Sequence, residues 1–399
     1  MRRAAIVSPL RTAVGSFGGT LRPLAADQLA AQVFQAVIER SGVEPGQIDE
    51  VVVAQSYASS EAPCIARYAA LAAELPVELP GYTLDRRCGS GLQAVIDAAM
   101  LVQTGNADVV LTAGVESMSN IEYYSNDLRW GSRAGSVTFH DRLQRGRERS
   151  QPEARFGFIS GMPETAENVG KEYGITRAEA DAFAVRSHQR AAAAWESGRF
   201  AAEVVPVAVP QRKGDAILFE RDEGIRPETS VETLARLRPV LKDGTVTAGN
   251  ASQQNDAAAA CLVVAEDCLE ALGLTPMAYL HSWAAAGCHP ATMGIGPVPA
   301  VRKLLARNGL TFDDFDLVEL NEAFAMQVLG VLAGWDWHDP ERLNVNGGGI
   351  SLGHPIGATG LRIMTTLLHE LERRRGRFGL ETMCIGGGQG LAAVFERAA

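Results

Sequence analysis

"VIERSGVEPGQIDEVVVAQS" (residues 37–56) and "LLARNGLTFDDFDLVELNEA" (residues 304–323) align without a gap. Gly42 falls on Gly309, Val43 on Leu310, Ile48 on Phe315, Asp49 on Asp316 and Val51 on Val318. Each copy reads as a helix ended by glycine, a short polar turn and an apolar strand. The elements that follow keep the same order. After the first copy comes "LDRRCGSGLQAVIDAAMLVQTG" (residues 84–105), a Gly-rich turn running into a helix, then the strand "DVVLTAG" (residues 108–114). That helix places Leu92, Val95, Ile96, Ala99 and Val102 on one face. After the second copy comes "NGGGISLGHPIGATGLRIMTTLLHEL" (residues 346–371), then the strand "LETMCIGGG" (residues 380–388). The pattern predicts two related α/β halves, each a sheet flanked by helices.

Between the halves, residues 119–249 differ in character. Their first part is polar, rich in arginine and poor in apolar periodicity, which reads as an insertion or loop region. The arginines suit either a solvated surface or a local cationic patch for an anionic ligand. Farther on, "TRAEADAFAVRSHQRAAAAWESGRF" (residues 176–200) reads as an amphipathic helix.

The 399 residues are 46% hydrophobic and 21% charged, the balance of an ordinary globular protein. A formal charge of −10 opposes general nucleic-acid binding, which needs many cations to displace counterions from phosphates. Pro9 and Arg11 interrupt the first apolar run too early for a signal peptide. The longest apolar runs, such as residues 257–265, are about half the length that crosses a bilayer. The expectation is a soluble, cytoplasmic protein without membrane or nucleic-acid partners. Its six cysteines form no Cys-x-x-Cys pair and no cluster with zinc spacing, so free thiols are the default.

Local context singles out Cys88. A thiol at the start of a helix is a candidate nucleophile, because unpaired N–H groups and the helix dipole favour the thiolate. Gly89 and Gly91 read as the space through which a substrate carbonyl approaches, and the Cys88 N–H as a donor to an oxyanion. A competing reading takes Gly89-Ser90-Gly91-Leu92-Gln93-Ala94 as a dinucleotide fingerprint, with Glu116 as the ribose-binding acid of an NAD-dependent oxidoreductase. The charged approach "TLDRRC" fits that reading poorly, since a buried parallel strand is apolar. A nucleophilic cysteine needs a base from elsewhere in the fold. His354 stands in a glycine-dense turn ahead of a helix, Cys384 ends a strand before three glycines, and Asn321-Glu322 end the echoed strand.

Taken together, "CGSGLQA", "TAGVESMS", "TAGNAS", "MGIGPVPA", "NEAFA", "NGGGISLGHPIGATG" and "CIGGGQG" stand in the order found in thiolases, which the chain resembles over essentially its whole length. The resemblance implies a thiolase-like layered αβαβα fold. Its N-terminal half would be residues 1–118 with 250–270, its CoA-covering loop domain 119–249, and its C-terminal half 271–399. It implies reversible, CoA-dependent cleavage of 3-ketoacyl-CoA to acetyl-CoA and acyl-CoA, or acetyl transfer to form acetoacetyl-CoA. Cys88 would be the acyl-accepting nucleophile, His354 its activator and Cys384 the second acid/base. Asn321, through a held water, would form one oxyanion hole with His354, and the N–H groups of Cys88 and Gly386 the other. Ser252 matches a pantetheine contact; Met162 and Phe324 match acyl-pocket positions. Coenzyme A is then a substrate, no metal or redox cofactor is required, and a homodimer or homotetramer is expected. Related condensing enzymes use His/His or His/Asn partners, unlike the cysteine in "CIGGG". A non-catalytic acyl-CoA-binding relative would not need all of these residues.

Three departures bear on function. Asp85-Arg86-Arg87 replace the usual Asn-x-Leu before the nucleophile, Gln253-Gln254 follow Ser252 where a glycine is usual, and Gly161 stands where acetoacetyl-specific members carry a histidine. The last predicts acceptance of chains longer than four carbons. Arg145 and Arg147 are candidate contacts for the CoA phosphates.

Overall fold

The computed structural model describes residues 2–399. Its first half holds strands β1 (Ala4–Thr12), β2 (Glu50–Ala54), β3 (Gly81–Leu84), β4 (Val109–Ser117) and β5 (Asn255–Ala265), with helices α1 (Ala26–Ser41), α2 (Ile65–Ala72) and α3 (Ser90–Thr104). The intervening segment carries α4 (Arg142–Glu148), α5 (Met162–Tyr173) and α6 (Arg177–Glu196). The second half holds β6 (Ala278–Gly287), β7 (Leu317–Leu320), β8 (Phe378–Ile385) and β9 (Gln389–Arg397), with α7 (Pro297–Asn308), α8 (Ala325–Trp335) and α9 (Thr359–Arg374).

The two halves repeat one topology. The first runs β1-β5-β4-β2-β3 and the second β6-β9-β8-β7. In both, the first two pairings are antiparallel and the next is parallel. A parallel bridge between Val318 and Leu343 stands where β3 pairs with β2 in the first half. The half-sheets join edge to edge through the pairs Ala5↔Tyr279 and Ile6↔Ala278.

The echoed residues occupy equivalent places. Gly42 and Gly309 end α1 and α7 with φ of 72° and 74°, the left-handed conformation that glycine adopts without penalty. Asp49 Oδ2 accepts the backbone N–H of Asp108 (2.7 Å) and Val109 (3.0 Å). Asp316 Oδ2 accepts those of Arg377 (2.6 Å) and Phe378 (3.1 Å). Each aspartate thus pins the start of the central strand of its own half.

The layers follow from which faces are apolar. α1 and α2 cover the outer face of the first sheet, Leu29, Phe34 and Ile65 meeting Val51, Val53 and Leu111. α7 and α8 cover the second, Val301, Leu304 and Val331 meeting Val318, Leu380 and Val394. α3 and α9 fill the centre, Leu92, Val95, Leu361 and Leu367 packing between Val52, Val110 and Val263 on one side and Met383, Ile385 and Phe395 on the other. The order is therefore αβαβα. α3 is not the one-faced helix its periodicity predicts: sandwiched between two sheets, it also buries Ser90, Gln93 and Ala98.

The intervening segment is more than loop. α6 begins at Thr176, which caps Glu179 N, and is buried along Ala180, Phe183, Ala184 and Ala191. Arg11 of β1 anchors this segment from within the sheet. Fully buried, its guanidinium holds Glu203 (2.6 Å) and both oxygens of Asp222 (2.8 and 3.1 Å), and Asp222 also accepts Trp195 Nε1.

Candidate active site

β3 delivers the chain to residues 85–87, where it turns sharply. Asp85 Oδ1 accepts Arg87 N (2.6 Å) and Ser90 Oγ accepts Arg86 N (2.7 Å). These bonds hold Arg87 at φ 50°, a left-handed conformation that costs a non-glycine residue roughly 1–2 kcal/mol. Asp85 therefore shapes the turn that presents Cys88, which accounts for the aspartate before the nucleophile.

Cys88 sits between that turn and α3, only 9% exposed. The backbone N–H groups of Gly386 and of Cys88 itself favour its thiolate form. Burial pushes the thiol up, and those donors together with Arg87 pull it back only in part, so it stays above the ordinary thiol value. The helix start favours the thiolate, but burial acts against it.

The flanking glycines serve packing rather than access. A Cβ on Gly89 would stand 2.5 Å from Ile385 Cδ1, and one on Gly91 2.7 Å from Leu361 N. The protein fills both spaces, leaving none for a pyrophosphate or a carbonyl. The open glycine is Gly386, where a Cβ would meet only Ser150 Oγ at 3.8 Å and Met162 Sδ at 4.0 Å. Glu116 binds no ribose either. Fully buried, it accepts the N–H groups of Ser56 (3.0 Å), Tyr57 (3.3 Å) and Gly357 (3.0 Å), with its carboxyl raised to about 7 by burial. It latches the turn bearing His354 to the first half.

That turn is held from several sides. His354 N donates to Asn255 Oδ1 (2.9 Å). Glu322 accepts Ser187 Oγ (2.6 Å), Asn344 Nδ2 (2.9 Å) and Ile350 N (3.3 Å), clamping the glycine run that precedes the histidine. His354 Nδ1 lies 2.7 Å from Thr359 Oγ1, whose own hydrogen goes to Pro355 O (2.8 Å). Thr359 can therefore only accept from the ring, which puts the imidazole proton on Nδ1 and a free lone pair on Nε2. Burial, with Arg362 and Arg147 adding, lowers His354 to about 3, so the ring is neutral at physiological pH.

Cys88, His354, Gly386, Ser252, Met162 and Phe324 all line one cleft of about 540 Å³. Asn321 and Cys384 do not line it. Cys384 is fully buried on β8, its thiol pushed well up by burial and then by the charges of Cys88 and Cys288. Asn321 is 1% exposed, and neither its Oδ1 nor its Nδ2 has a partner. An orphaned buried amide of this kind marks a place for a bound water.

Two further expectations are resolved. Gln253 Nε2 donates to Gly224 O (3.0 Å) and Ile350 O (3.1 Å), tying the intervening segment to the glycine turn. Arg145 and Arg147 diverge: Arg147 lines the cleft, whereas Arg145 faces a separate hollow of about 560 Å³ with Arg142, Arg149 and Glu122. Thr359 and Asn255 escaped the sequence reading. Only the position of Thr359, five residues beyond His354 at the start of α9, hints at its part. Among the described residues no group of three or more His, Cys, Asp or Glu is placed to hold a metal ion, and no helix is long and apolar enough to cross a membrane.

The profile of the thiolase N-terminal domain matches residues 4–267, and that of the thiolase C-terminal domain residues 274–397. The chain belongs to the thiolase family. It is 48% identical to an acetyl-CoA acetyltransferase of Chromobacterium violaceum over 98% of this chain and 99% of that one. The thiolase fold is equally plain in solved structures. The Bacillus anthracis acetyl-CoA acetyltransferase superposes with a TM-score of 0.96 at 42% identity, covering 100% of this chain and 99% of the other. Human mitochondrial 3-ketoacyl-CoA thiolase in complex with CoA gives 0.93 at 38% identity, over 100% and 98%. Neither the oxidoreductase reading nor that of a non-catalytic relative finds support beside this thiolase assignment.

Proposed function

We propose that the protein cleaves 3-ketoacyl-CoA with coenzyme A, and runs the reverse condensation, through an acyl thioester on Cys88. The observation that carries this reading is that the Cys88 thiol, Gly386 and an unprotonated His354 nitrogen share one cleft. Because thiol and imidazole are both neutral, the proton moves as the bond forms: His354 Nε2 takes it while sulfur attacks the 3-keto carbon. The oxyanion of that adduct falls to the N–H groups of Cys88 and Gly386. The carbon–carbon bond then breaks toward the CoA-bearing fragment, leaving the acyl group on Cys88. The departing enolate is held by His354 and a water on the unpartnered Asn321 amide, and takes its proton from Cys384. A second CoA thiol returns a proton to Cys384, attacks the thioester and leaves as acyl-CoA; His354 restores the proton to Cys88. Atoms balance without a metal or redox group.

In this reading Ser252 meets the pantetheine arm, Met162 and Phe324 bound the acyl pocket, and residues 119–249 form the loop domain over CoA between halves 1–118 with 250–270 and 271–399. The absence of a side chain at Gly161 favours acyl groups longer than four carbons. A homodimer or homotetramer in the cytoplasm completes the proposal. The test is to incubate the protein with acetoacetyl-CoA and longer 3-ketoacyl-CoAs, measuring thiolysis and the intact mass. The expected result is one acyl group per chain on Cys88 and turnover of at least one substrate, both abolished in Cys88→Ala. Turnover that survives in Cys88→Ala would overturn the reading.

A further inference from the structure

On α4, Arg145 and Arg147 lie two residues apart and so face away from each other. The only carboxylate on this helix, Glu148, is occupied by Arg145 (3.7 Å) and by the Gln144 amide (3.2 Å). Among the described residues Arg147 has neither an ion pair nor a side-chain hydrogen bond. The other cation of the cleft, Arg87, is engaged: it donates to Gly146 O (3.4 Å) and lies 5.6 Å from the centre of the Tyr57 ring. No aspartate or glutamate lines the cleft. Arg147 is thus an unanswered guanidinium in a largely apolar recess, an arrangement that favours an anionic ligand.

Its position says which part of the ligand that is. Arg147 lines the same cleft as Cys88, His354 and Tyr57. Its Cβ borders Gly161: a side chain built there would meet Arg147 Cβ at 3.9 Å and Pro163 Cδ at 3.8 Å, with nothing closer. The adjoining residue, Met162, has its sulfur 4.0 Å from where a Cβ on Gly386 would stand, and Gly161, Met162, Gly386 and Cys88 line one cleft. The space left at Gly161 is therefore bordered by Arg147 on one side and adjoins Met162 of the acyl pocket on the other. The lining next to Ser252, Ala248 and Ala251, carries no charge.

We propose that Arg147 is a specificity-determining residue that binds a carboxylate at the far end of the acyl group, making the preferred substrates 3-ketoacyl-CoAs of dicarboxylic acids. This rests on the thiolase reading above. It replaces the assignment of Arg147 to a CoA phosphate, and it deepens the longer-chain reading by specifying what the chain ends in.

The experiment compares six- and eight-carbon 3-ketoacyl-CoAs that end in a carboxylate with methyl-ended ones of equal length. Wild type, Arg147→Met and Arg147→Lys are assayed for kcat/KM and for the KM of CoA. Wild type should favour the carboxylate-ended series by roughly tenfold or more. Arg147→Met should lose roughly 10- to 100-fold on that series, the range of a charge-assisted hydrogen bond. It should keep the methyl-ended series and the KM of CoA within about threefold, and Arg147→Lys should recover part of the loss. Equal turnover of both series by wild type overturns the proposal. So does a uniform loss in Arg147→Met, and so does a raised KM for CoA, which would assign the guanidinium to a phosphate. The acyl-enzyme mass is read in parallel: if Cys88 is acylated by neither series, it is the thiolase reading that fails.

Discussion

Thr359→Val isolates the step by which the fold sets the His354 tautomer. Thr359 is fully buried and does not line the cleft, and valine matches its shape while removing the hydroxyl. The change deletes the 2.7 Å contact to His354 Nδ1 and the 2.8 Å bond to Pro355 O. A buried N–H left without an acceptor costs about 1–3 kcal/mol. The imidazole can escape that cost only by moving its proton to Nε2, where the mechanism needs a lone pair. Either way the competent form loses about 1–3 kcal/mol, which at 1.36 kcal/mol per decade is roughly a 5- to 150-fold fall in the rate of Cys88 acylation. Rapid-quench measurement of acyl transfer from acetyl-CoA to the protein reads that rate directly. The KM should hardly move, and Thr359→Ser, which restores the hydroxyl, should restore most of the rate. Acylation of Thr359→Val within about twofold of wild type would refute the tautomer argument. So would a serine variant as slow as the valine one.

Three other outcomes follow from burial and charge. Arg11→Met leaves Glu203 and Asp222 as uncompensated buried carboxylates, so chemical denaturation should show a loss of about 3–5 kcal/mol, and a loss under about 1 kcal/mol would contradict the anchoring role. Glu381 pairs with Glu319 across β7 and β8, and neither of its carboxylate oxygens has a partner; burial raises its carboxyl well above the ordinary value, with the Glu319 charge adding and Arg362 offsetting. An acid raised in this way supports the fold below its unfolded value and loses that support as pH climbs toward the folded one, by about 1.4 kcal/mol per pH unit. Glu381→Gln should therefore raise the melting temperature more at about pH 8.5 than at about pH 5.5, and equal shifts at both would show an ordinary carboxylate. For Cys88, thiolate absorbance in wild type minus Cys88→Ser should rise with a midpoint above the ordinary thiol value of about 8.5, because burial raises it; a step below about 8 would point instead to a preformed thiolate–imidazolium pair.

Much of the fold was legible because it is repeated locally. Gly42 and Gly309 need the same left-handed cap, and Asp49 and Asp316 hold the same pair of backbone N–H groups. Such features leave a mark at fixed spacing in any sequence that forms them. Among the proposed site residues, Cys88, His354 and Cys384 stand out in the sequence because a reactive group beside glycine is unusual in a packed protein. The misreadings share another origin. Gly89 and Gly91 read as openings along the sequence, but Ile385 and Leu361 fill them from the other half of the chain. The competing dinucleotide reading makes Glu116 a ligand-binding acid, but three backbone N–H groups occupy it.

The order of elements and the duplication are thus properties of the sequence alone, since periodicity, caps and turn residues act over a few positions. The ionisation of Cys88, the tautomer of His354 and the divergence of Arg145 from Arg147 were decided only in three dimensions. Each depends on which distant segment excludes water from a group or offers it a partner. Desolvation and hydrogen bonding act through space, and no spacing along the chain encodes what will stand there.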